Sequence, residues 1–130
     1  MTLYRADIKL QWAKNDLLTR VNELCNAKMA NIKAGYPEEE VKTWDQQVRE
    51  ALLYQANSQA SVPMVAALAL KRGLTVADMA GKIMAKATAF ADISGQIIGH
   101  RQVLENTLAG CTTRQQLDAA IATIESGWPV

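Results

Sequence analysis

A chain of 130 residues with 14 basic and 13 acidic side chains carries a formal net charge of +1, which gives no electrostatic reason to expect nucleic acid or an anionic membrane as partner. Hydrophobic residues make up 49% and aromatic residues only 5%; apolar mass of Ala, Leu, Ile, Val and Met suits closely packed helices better than a sandwich or barrel interior. The length predicts one domain over residues 1–130, and the composition predicts an all-α fold.

The first long pattern runs from Leu3 to Ala34, with Leu3, Leu10, Leu17 and Leu24 seven apart and Leu18, Cys25 and Ile32 in the adjacent row. That is the heptad spacing of a helix with a narrow apolar seam. Residues 1–12, carrying Tyr4 and Trp12, either continue this helix or form an N-terminal arm that docks on a partner. Gly35 is expected to end the helix in a left-handed conformation, and Pro37 to begin the next one. Glu38, Glu39 and Glu40 then suit a helix N-terminus, where the macrodipole favours negative charge. Consecutive helix positions point about 100° apart, so the three carboxylates cannot converge on one metal ion. From Val41 the positions Val41, Trp44, Val48 and Leu52 keep the helical period to about Asn57.

Pro63 opens a short helix to Leu70 whose apolar residues cover nearly every side, predicting burial. Lys71, Arg72 and Gly73 read as its last turn and glycine cap, and Thr75 with Asp78 as the cap of the next helix. That helix is the second spine. Val76, Ile83, Phe90, Ile97 and Leu104 recur every seven residues, with Ala80, Ala87, Ser94 and Leu108 four places later, and an unbroken helix of this length spans roughly 50 Å. Within it Gly95 and Gly99 stand beside Ser94. Internal glycines cost a helix up to about 1 kcal/mol each, so this small-residue patch reads either as the closest approach of another helix or as a break. Gly110 then ends the spine, Thr113 caps a last helix facing inward through Leu117, Ala120, Ile121 and Ile124, and Trp128 lies between Gly127 and Pro129. Trp128 reads either as packed on its own domain or as an anchor for a neighbour. The predicted architecture is an elongated bundle of about five helices with two long ones, residues 3–34 and 76–109.

Catalytic chemistry is thin. His100 is the one histidine, which excludes a two-histidine metal site within a single chain, and no phosphate-cradling glycine loop or nucleophile elbow occurs. Cys25 and Cys111 stand far apart in helical patterns and read as two buried thiols, and the longest apolar run, Val62 to Leu70, is too short for a bilayer. No cofactor, metal or membrane is expected. The short helix, turn and Thr-initiated helix over residues 63–90 have the layout of a DNA-reading motif, so a small DNA-binding regulatory or packaging protein is the alternative reading. Against it, the second helix carries Asp78 near its start and offers only Lys82 and Lys86.

Three stretches carry a family resemblance: Tyr36-Pro37-Glu38-Glu39-Glu40-Val41 with Trp44 and Gln47; Val62-Pro63-Met64 leading to Arg72-Gly73; and Ile97-Ile98-Gly99-His100-Arg101-Gln102 with Leu104-Glu105. Together, over roughly Ile8 to Pro129, they resemble helical domains of bacteriophage and prophage tail proteins, often associated with tail fibres. The resemblance implies a non-enzymatic protein of tail or fibre assembly, made in the host cytoplasm and bound to tail or tail-fibre proteins, either as a component carried in the virion tail or as an assembly helper that binds fibre protein. Its motifs are packing and turn motifs. Candidate contact residues are Tyr4, Trp12, Ser94, Gly95, Gly99 and Trp128, and the long apolar seams also make a homo-oligomer a candidate assembly.

Overall fold

The computed structural model describes residues 2–129, with side chains from Asp7 onward, so the side chain of Tyr4 and the contact expected of it lie outside the described residues. The fold is all-α. Six helices occur among the described residues: α1 (Thr2–Lys33), α2 (Glu38–Val41), α3 (Trp44–Ala56), α4 (Pro63–Arg72), α5 (Val76–Ala109) and α6 (Arg114–Ile124). The two long helices fall where the heptads place them, and α1 passes through Trp12 without interruption, so this stretch continues the helix instead of forming a separate arm.

The chain divides into two compact units, one of Met1–Ile32 with Ile93–Val130 and one of Lys33–Asp92. The first unit packs α1, the second half of α5 and α6 around Val21, Ile97 and Leu117, joined by Cys25, Leu104, Leu108, Cys111 and Ile124. Both thiols are buried and free. Val21 is fully buried although it lies off the expected seven-residue row. A helix that packs against two others must bury a wider stripe than a two-stranded seam. Remote side chains fasten the element ends. Lys14 Nζ donates to the carbonyls of Ala109 and Cys111 at 3.2 and 3.0 Å, placing a cation at the negative end of α5. Arg101 bridges Asn22 (2.7 Å) and Glu105 (2.7 Å). Thr113 and Gln116 form the two halves of a capping box at the start of α6.

The second unit packs α3, α4 and the first half of α5 around Ala51, Val62, Val65, Ala69, Met79, Ala80 and Ile83. The expected burial of α4 on nearly every side is not realised: Val65 and Ala69 are buried while Leu70 is 84% exposed. A ten-residue helix lying against two neighbours covers only the face it turns to them. Gly73, at φ +70°, caps α4 as expected, and Leu74 N–H donates to Ala69 O at 2.8 Å. Thr75 Oγ1 accepts from Asp78 N–H at the start of α5. Gly35, by contrast, is not left-handed; its turn closes through Tyr36 N–H to Lys33 O at 3.1 Å. The single helix expected from Glu38 to about Asn57 is two. Both the N–H and the hydroxyl of Thr43 donate to Glu40 O, at 2.9 and 2.7 Å, tightening the turn and separating α2 from α3.

Helix α5 runs unbroken through Gly95 and Gly99. A methyl group placed on either glycine meets no atom within 4 Å beyond the helix's own backbone. The patch is therefore neither a break nor a close crossing within the chain. With no clash to offset the gain in helix propensity, Gly95→Ala and Gly99→Ala should each raise stability by about 0.5–1 kcal/mol in urea unfolding. A loss of stability in either variant would show that its glycine meets an obstacle.

Candidate contact surface

On α5 the residues 95, 98, 99, 102, 103 and 106 follow i, i+3, i+4 spacing and fall on one face. In the first unit, Ile97, Leu104 and Leu108 of the same helix turn inward to the core, while Ile98 is 42% and Val103 60% exposed. Gln102 and Asn106 complete the outward face with uncharged polar groups. Ile98 and Val103 thus flank a strip where Gly95 and Gly99 leave the helix backbone uncovered. Such a face can admit a closely approaching backbone and cover it with aliphatic contact.

The candidate residues separate in three dimensions. Ser94 is buried, and its hydroxyl has no hydrogen-bond partner, so it does not share the open strip of Gly95 and Gly99. Successive helix residues point about 100° apart, which divides a patch that is contiguous in sequence. Trp12 is 64% exposed on α1. Trp128 is buried instead of standing free as an anchor: its indole N–H donates to Ile124 O at 2.8 Å and its ring meets His100 edge to face at 4.6 Å. Gly127, at φ +77°, turns the tail so that its own Cα lies against His100, and a Cβ there would come within 3.2 Å of the imidazole Cε1. The imidazole Nε2 beneath it is buried without a hydrogen-bond partner.

Two arrangements escape a reading of periodicity. Arg20 donates two hydrogen bonds to the Glu125 carboxylate, at 2.8 and 3.1 Å, across 105 positions. That hydrogen bonding raises the Arg20 pKa and lowers the Glu125 pKa. In the second unit Trp44 meets Tyr36 and Phe90 edge to face at 5.1 and 5.5 Å, with Lys86 Nζ over Tyr36 at 4.8 Å and Lys33 Nζ over Phe90 at 5.8 Å. Lys86, one of the two lysines available for DNA in the alternative reading, thus rests on an aromatic ring. Among the described residues no group of three or more His, Cys, Asp or Glu could hold a metal ion, and no helix is long and apolar enough to cross a membrane.

Fold and surface together define an all-α protein whose most prominent candidate site is an outward helix face. Residues 85–128, covering most of α5 and all of α6, are similar to the HI1402 helical domain. That segment includes the whole Gly95–Asn106 face. No curated protein and no solved structure matches the chain.

Proposed function

We propose that this chain is a non-enzymatic protein that works by protein–protein contact in a phage tail or tail-fibre assembly, presenting the outward face of α5 to a helix of a tail or tail-fibre protein. The observation that carries the contact reading is the open strip at Gly95 and Gly99, bordered by exposed Ile98 and Val103 on a helix whose opposite side is fully occupied by its own core. The resemblance of the three sequence stretches to tail-associated helical domains supports the setting. Exposed Trp12 is a second contact, of the amphipathic kind common at interface hot spots.

Co-expression with candidate phage tail and tail-fibre proteins, followed by affinity measurement on the purified pair, tests the proposal. Gly95→Leu and Val103→Asp should each weaken binding roughly thirtyfold, the loss of about 2 kcal/mol typical of a hot-spot residue, while the helical circular dichroism is retained. Unchanged affinity in both variants would remove the α5 face from the interface. The solution mass of the chain alone reports whether it self-associates, and a mass lowered to the monomer by Val103→Asp would place a second copy on the same face.

A further inference from the structure

Helix α4 begins in a way that its own sequence does not complete. Pro63 stands at its first position and has no N–H, Val62 offers no side-chain acceptor, and Ala66 N–H reaches Val62 O at 2.8 Å. The N–H groups of Met64 and Val65 remain. Both donate to Glu50 Oε1, at 2.9 and 3.1 Å, while Oε2 accepts from Gln46 Nε2 at 2.9 Å. Glu50 is 6% exposed, the one buried charged residue among those described. It lies on α3, so a single carboxylate joins α3 to the start of α4.

We propose that Glu50 is an acid-sensitive clasp in the second unit: its carboxylate holds the first turn of α4 against α3 while ionised, and protonation of that carboxylate releases the turn. An ionised acceptor makes hydrogen bonds about twice as strong as a neutral one, and a carboxyl proton on Oε2 would confront the amide donor of Gln46. The charged group acting on Glu50 is Arg49 of its own helix. From α4 it faces the uncharged N–H groups of Met64 and Val65. The residues that α5 contributes to the cluster around Val65, namely Met79, Ala80 and Ile83, are apolar. Burial pushes the Glu50 carboxyl pKa up, but hydrogen bonds from Gln46, Val65 and Met64 with the charge of Arg49 outweigh it and hold the pKa below the ordinary glutamate value. A carboxyl group so lowered contributes its full stabilisation above its unfolded pKa and loses it as the pH falls through the folded one. The clasp is therefore closed at neutral and mildly acidic pH and opens below.

Amide exchange in the intact chain, followed by NMR together with the Glu50 carboxyl carbon shift, tests this. Protection at Met64 and Val65 should fall about ten- to hundredfold, the factor that a hydrogen bond to a charged group is worth, as the pH is lowered through the Glu50 titration, while Leu117 of the first unit keeps its protection. Glu50→Gln keeps an acceptor without a proton to gain, so protection at the two amides should be lower at neutral pH and flat with acidification. The clasp is overturned if the wild-type amides keep their protection after Glu50 has titrated, or if Glu50→Gln retains the wild-type pH profile. Should the variant fail to fold, the wild-type comparison alone decides.

Discussion

Replacing Ile97 with alanine is expected to destabilise the first unit by about 4 kcal/mol, in the upper half of the range for a fully buried aliphatic truncation. Ile97 is 1% exposed and belongs to the cluster that joins Val21 and Cys25 of α1 to Leu117 and Ile124 of α6. The hole left by its side chain is walled by three helices, so collapse of one wall pulls it away from another. Against a typical total stability of about 5–15 kcal/mol, the loss is a large fraction. Urea unfolding followed by the fluorescence of Trp128, buried in the same unit, measures it. The neighbouring residue supplies the control: Ile98 is 42% exposed, and Ile98→Ala should cost under about 1 kcal/mol. Equal losses at the two positions would contradict the assignment of the inward and outward faces of α5.

Truncation of Trp44 should cost about 3 kcal/mol, at the lower end of the range for large aromatic residues because the side chain is only half-buried. The indole is the middle ring of three, edge to face with Tyr36 at 5.1 Å and with Phe90 at 5.5 Å. Each such pair contributes about 0.5–1.5 kcal/mol beyond buried area. Loss of the indole also uncouples two rings that carry lysine ammonium groups on their other contacts. Trp44→Ala should therefore erase a distinct near-ultraviolet circular dichroism signal and lower the urea midpoint. A double-mutant cycle of Trp44→Leu with Tyr36→Leu should return a coupling of about 0.5–1.5 kcal/mol. Zero coupling would mean that the two rings do not stabilise one another.

The long helices are legible in the sequence because their apolar rows repeat over many turns, and the caps at Gly73, Thr75 and Thr113 are legible because few residue types perform those roles. Helix α3 shows where that reading stops. Trp44, Val48 and Leu52 form its apparent apolar face, yet Leu52 is 51% exposed while Glu50 and Ala51 are buried. Ala51 is small enough to let α4 come close, and α4 needs an acceptor that Val62 and Pro63 do not supply. A proline-led helix with no capping side chain before it was the available signal for a distant carboxylate; which one could not be read from periodicity. Trp128 turned on one torsion angle, since the left-handed Gly127 directs the tail back onto His100. On α5 the small residues were visible in the sequence, but adjacency in sequence concealed that Ser94 and Gly95 face different surroundings.

The first unit is discontinuous, built from residues before and after the Lys33–Asp92 segment, whereas the second unit is that segment itself. On a ribosome, α1 waits through the addition of the 60 residues Lys33 to Asp92, and that interval ends before Ile97 and Leu117 exist to cover it. At about 5–20 residues per second that interval is roughly 3–12 s. The second unit is complete only when that interval ends, and until Ile97 and Leu117 follow, the stripe of Leu10, Leu17, Val21 and Leu24 has none of its partners from α5 and α6.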